Sequence, residues 1–227
     1  MCNFPNIQYV DDFQNLNSLP VLPPSPQGMY SILINQGIVP DNYLARMNVN
    51  NMVELENEIF ERIDSYQGTD DEMRDIFCLI HIWGGIAGRG IFVKGKGFIW
   101  DEIKKPYRAL VNECLKAPVP DNNTQPREAA QKCITPIYNA ILSFYQDVHI
   151  QNISTSFITK HTRFWLRKNN HQNPLPIYDR TFAINLMNYA GVYMRSLPKF
   201  WSCMIDKANK ENVSLLSLER QLFNHWN

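Results

Sequence analysis

Lys160 and Asp179 are the two side chains in this 227-residue chain whose types and setting fit covalent chemistry. Lys160 closes the run Ile153-Ser154-Thr155-Ser156-Phe157-Ile158-Thr159-Lys160, and Asp179 closes Pro174-Leu175-Pro176-Ile177-Tyr178-Asp179. A lysine amine that has lost its proton attacks an electrophilic carbon and can form a Schiff base. A nearby carboxylate can activate that amine and stabilise a cation that develops as a bond breaks. Taken singly, each residue has an ordinary reading: a helical lysine is a solvated cation, and an aspartate after a loop is an N-cap. Their separation, 179 minus 160 or nineteen, also arises by chance in a chain of this length. Context favours the pair. Lys160 falls in the first turns of a helix, Asp179 falls at the start of the next, and a Pro-containing return joins them. A helix of about three turns followed by such a return brings two positions face to face.

The elements that must hold this pair are helical. Residues 156–167 place Phe157, His161, Phe164 and Trp165 on one side of a helix, and 169–176 form a polar loop. After Asp179, the residues Phe182, Leu186, Tyr189, Ala190 and Tyr193 keep helical spacing until Leu197-Pro198 breaks it; 215–226 form a last helix. Upstream, Met52, Leu55, Ile59 and Ile63 make an apolar stripe over 52–66. Thr69-Asp70-Asp71-Glu72 is a capping box opening a helix to about Trp83. Six of the ten glycines fall in 84–97, where Ile91-Phe92-Val93 and Phe98-Ile99-Trp100 predict a short hairpin. Helical pattern resumes over 101–116, breaks at 118–123, and restarts at Pro126 with a bend expected at Pro136. Residues 1–40, rich in Asn, Gln and Pro, read as an N-terminal arm, and 41–227 as a single domain. The fold class is mainly α, with a small β-hairpin.

Lys plus Arg and Asp plus Glu both number 22, so bulk charge does not coat nucleic acid and any electrostatic contact must be local. Lys160, Arg163, Arg167, Lys168 and Arg180 face one acid, Asp179, in 160–180. Arg89, Lys94, Lys96, Lys104, Lys105 and Arg108 form a second cluster near the glycines, with a solvated face as the plain alternative for each cluster. The five cysteines are odd in number and form no Cys-x-x-Cys pair, which predicts reduced thiols and no metal. Neither a signal peptide nor an apolar run of membrane-spanning length is present, so a soluble cytoplasmic protein is expected.

The phrase Ser156-Phe157-Ile158-Thr159-Lys160 with Pro176-Ile177-Tyr178-Asp179 resembles the helix-hairpin-helix DNA glycosylases, in particular the 8-oxoguanine DNA glycosylase branch and its bacterial and antiviral relatives. The resemblance covers mainly 149–227, with 148–196 as the catalytic segment of a helical bundle. It implies an enzyme, most simply a monomer, that excises a modified or damaged base from double-stranded DNA without a cofactor and leaves an abasic site. Strand cleavage and an antiviral action on modified phage cytosines are open extensions. It also implies Lys160 as nucleophile and Asp179 as the residue that activates it, with burial and a cation such as Arg163 favouring the uncharged amine. Phe223 would stack on the flipped base, Glu219 would read its edge, and Phe164 would line the pocket. Ser154, Thr155, Ser156, Arg163, Arg167 and Arg89 would contact DNA, and Trp83-Gly84-Gly85 would fill the gap left by the base. A plain amphipathic terminal helix is the alternative for Glu219 and Phe223. The chain departs from that family where Ile153-Ser154-Thr155-Ser156-Phe157 carries no glycine, and where Glu219 stands at a position usually held by an amide. A non-catalytic binding module of the same fold and a modified-nucleoside hydrolase are the competing readings.

Overall fold

The computed structural model describes residues 29–84, 100–121, 124–148, 155–178 and 196–226, with side chains to residue 220. Helix dominates, and no strand occurs among the described residues. Residues 85–99, which hold most of the expected hairpin, the arm residues 1–28 and the helix expected after Asp179 lie outside them, while Trp100, placed in the hairpin's second run, opens a helix. Within 1–40, only residues 29–40 are described. Helix α1 spans Met29–Asn35 and buries Tyr30 and Leu33 in the core.

Two helices start as their sequences dictate. Helix α2 (Met52–Ser65) is capped by Asn51, whose side chain accepts from Val53 N and Glu54 N. Helix α3 (Asp70–Gly84) opens on the capping box: Glu72 N donates to Thr69 Oγ1 at 3.2 Å and Thr69 N to Glu72 Oε2 at 3.1 Å. Helix α4 spans Trp100–Lys116 and its last carbonyls, Cys114 O, Leu115 O and Ala117 O beyond it, accept from Asn169 Nδ2. Next come α5 (Pro126–Ala129), a π-helical turn (Ala130–Ile134) and α6 (Thr135–Asp147). Pro136 lacks the N–H that would continue the α ladder, and the wider turn before it absorbs the defect where a bend was expected.

Helix α7 (Thr155–Arg167) is the centre of the molecule, packed against α2, α3 and α4. Nine of its thirteen residues are buried, including Thr159, His161, Thr162 and Arg163, so their polar groups depend on partners inside the protein, and among the described residues His161 Nε2 and Arg163 Nη1 find none. Thr159 Oγ1 and Thr162 Oγ1 donate to carbonyls in the preceding turn of the helix. Trp165 Nε1 donates to Tyr107 Oη at 2.8 Å, which leaves the Tyr107 hydroxyl to donate to His161 Nδ1 at 2.6 Å. Helices α8 (Leu197–Glu211) and α9 (Leu215–Trp226) complete the bundle. Cys78, Cys114 and Cys133 are buried free thiols.

His81 and His161 are fully buried among Phe77 and Phe157. Burial first, then the other histidine's charge at His81, and finally Lys160 push both imidazoles well below the ordinary value. The unfolded chain therefore takes up protons below about pH 6.5 that the folded chain refuses. The stability these two neutral rings provide is complete above that pH and falls as the pH drops below it. The slope approaches about 2.7 kcal/mol per pH unit for two such groups. Denaturant midpoints should decline from pH 7 to 5.5, and the decline should be shallower in His81→Phe. A flat profile would contradict the buried neutral pair.

Candidate active site around Lys160

Lys160 lies on α7 with its side chain partly exposed, and its Nζ donates to Gly84 O, the last residue of α3, at 2.8 Å. One residue earlier, Thr159 Oγ1 accepts from the backbone N of Tyr178 at 3.0 Å. The residues that precede Lys160 and Asp179 are thus hydrogen-bonded to each other. Asp179 itself lies outside the described residues.

The return that leads to Tyr178 is fastened along its length. Leu216 N donates to Gln172 O at 3.0 Å and Leu215 N to Asn173 Oδ1 at 2.8 Å, so the start of α9 is bonded to it. Trp201 Nε1 of α8 donates to Pro176 O at 2.8 Å, and Ile177 N donates to Glu219 Oε1 at 2.6 Å. The Tyr178 ring packs on Phe200, centroids 5.2 Å apart. A proline-containing return has few backbone donors, and those of Ile177 and Tyr178 go to Glu219 and Thr159.

Glu219 and Arg163 are placed differently from expectation. Glu219 Oε2 accepts from Arg163 Nε at 2.7 Å while Oε1 holds Ile177 N, and the carboxylate is 4% exposed. Both carboxylate oxygens are thus engaged by protein groups. Arg163, 3% exposed, also donates from Nη2 to Glu56 Oε1 at 2.9 Å and lies 5.4 Å from the Trp83 ring centroid. It has no surface from which to reach a phosphate. Burial disfavours the Arg163 charge, but Glu219 and Glu56 outweigh burial and hold its pKa above the ordinary value. Burial likewise opposes ionised Glu56, which Arg163 and Arg220 hold below the usual carboxylate range. Arg220 Nη2 reaches Glu56 Oε2 at 3.0 Å.

Phe164 is fully buried, its ring 5.2 Å from Phe60 and 5.0 Å from Trp83, so it supports the site from beneath and does not face an open pocket. Trp83 is partly exposed and packs against Phe164 with the two rings nearly perpendicular. Arg167 stacks on Phe60 at 3.1 Å from the centroid. Its pKa is pushed down to about 10 by burial against the opposing pull of Glu56, with Arg163 and Arg220 adding to the decrease. Thr155 and Ser156 are partly exposed in the first turn of α7. Ser154, Arg89 and the side chain of Phe223 lie outside the described residues.

Sequence reasoning missed Glu56, and it named Thr159 and Gly84 without their roles as partners of Tyr178 N and Lys160 Nζ. Glu56 had a signal: it lies four residues after Met52 and four before Phe60, on the apolar side of α2, where a carboxylate needs a buried cation. Among the described residues no group of three or more His, Cys, Asp or Glu side chains is arranged to hold a metal, and no helix is long and apolar enough to cross a membrane. Comparison with known protein families, curated proteins and solved structures finds no match.

Removing one partner from a buried ion pair strands the other, at about 3–5 kcal/mol. Arg163→Met and Glu219→Ala should each lower the unfolding free energy by that order in urea titrations at pH 7. Unchanged stability in Glu219→Ala, with activity alone reduced, would return Glu219 to the role of base reader.

Proposed function

We propose that this chain is a DNA N-glycosylase that removes a modified or damaged base through Lys160 and Asp179. The observation that carries the reading is the Tyr178 N to Thr159 Oγ1 bond of 3.0 Å, which ties together the residues next to the amine and the carboxylate. An amine on a half-buried helix and a carboxylate at the end of a fastened return suit attack at a sugar carbon. The target base must leave the duplex stack, because its glycosidic bond is unreachable there. As that bond breaks, its electrons go to the base, which takes up a proton. The carboxylate stabilises the oxocarbenium-like sugar. The Lys160 nitrogen forms the new bond to the anomeric carbon; proton loss and ring opening give an imine, which water hydrolyses to the abasic site. Sugar-modified phage cytosines are one substrate class that fits this chemistry.

A binding-only module has one observation in its favour: Lys160 Nζ on Gly84 O also reads as a cation capping the carbonyl end of α3. Activity separates the two. Wild-type protein should free a base from at least one DNA in a panel of oxidised, methylated and glucosylated duplexes, phage genomic DNA included, with mass spectrometry identifying the product. Asp179→Asn should slow the single-turnover rate by about 100-fold or more. Duplex binding with no base released from any member of the panel favours the module.

A further inference from the structure

Gly84 ends α3, and its backbone does not explain why a glycine stands there. The described glycines with positive φ are Gly37 and Gly68, so Gly84 holds a conformation open to any residue. Alanine is the better helix former, and a glycine-to-alanine change at a compatible φ also stiffens the unfolded chain. What distinguishes the position is its neighbour. A methyl group on the Gly84 Cα would stand 3.1 Å from Lys160 Cδ, 3.5 Å from Nζ and 3.8 Å from Cε. The lysine stem therefore runs against the bare Cα, and the carbonyl of the same residue accepts from Nζ at 2.8 Å. That carbonyl belongs to the last turn of α3, where it has no intrahelical donor. Trp83, one residue before, packs on Phe164 and Arg163 of α7, which fixes the end of α3 against the helix that carries the lysine.

We infer that Gly84 is a positioning residue for Lys160: its missing side chain makes room for the lysine stem, and its carbonyl holds one amine hydrogen so that the nitrogen lone pair points away from α3. The inference rests on the glycosylase reading and extends it. In the uncharged amine one N–H is committed to Gly84 O, which narrows the directions from which the lone pair can meet a sugar carbon. A methyl at residue 84 displaces the stem by a few tenths of an ångström and breaks that aim without touching DNA.

Two measurements test it. The first is a melting-temperature cycle with Gly84→Ala, Lys160→Ala and the double variant. Gly84→Ala should lower the melting temperature by about 2–4 °C in wild type and leave it unchanged or raised in the Lys160→Ala background, where the stem is gone. Equal shifts in both backgrounds would overturn the contact. The second is borohydride trapping on a duplex carrying an abasic site, where the amine condenses with the sugar aldehyde, water leaves, and hydride reduces the imine. Gly84→Ala should form the adduct about 10- to 100-fold more slowly with unchanged duplex affinity, and Gly84→Val more slowly still. No adduct with wild type ends the glycosylase reading and the inference with it. An adduct that forms equally fast in wild type and Gly84→Ala overturns the positioning role alone.

Discussion

The buried charge of Arg163 is the constraint around which the described chain is arranged. A guanidinium 3% exposed is tolerable only when carboxylates meet it, and Glu56 from α2 and Glu219 from α9 both do so. Arg220 supplies the second cation, so two carboxylates and two guanidinium groups balance. The cluster thereby ties α2, α7 and α9 to one another. Through the other oxygen of Glu219 it also holds the backbone at Ile177. Ion pairs of this kind add little stability over an apolar core, but losing one member is severe, which makes the arrangement all-or-none.

The position of Lys160 follows from that arrangement. Lys160 and Arg163 lie three apart on α7 and so share a side of the helix. The end of α3 meets both, with Gly84 O at the amine and Trp83 beside the guanidinium. The return held by Glu219, Trp201 and Asn173 then delivers Tyr178 N to Thr159 Oγ1, next to the lysine. Lys160 thus reaches partial exposure at a place that the core fixes from three directions.

Helix positions were legible wherever apolar spacing and a local stop or start signal coincided. The capping box at Thr69 and the stripe of α2 fold as their residues dictate. Helix α8 was not legible, because Leu197-Pro198 reads as a breaker, whereas Pro198 occupies the first turn, where its missing N–H is harmless. The site was legible in its residue types but not in their use. Charged side chains default to solvent, so Arg163 and Glu219 read as DNA and base contacts when both are spent on each other. The bonds from Tyr178 to Thr159 and from Lys160 to Gly84 depend on the packing of separate elements, which periodicity does not reveal.

Everything proposed about chemistry turns on which amine meets the sugar, and peptide mapping of the reduced adduct answers that most directly. Wild-type protein is trapped with borohydride on abasic-site DNA, digested with nuclease and protease, and sequenced by mass spectrometry. The account predicts the added sugar mass on Lys160. A trapped adduct on another lysine or on the N-terminal amine, with Lys160 unmodified, would contradict it.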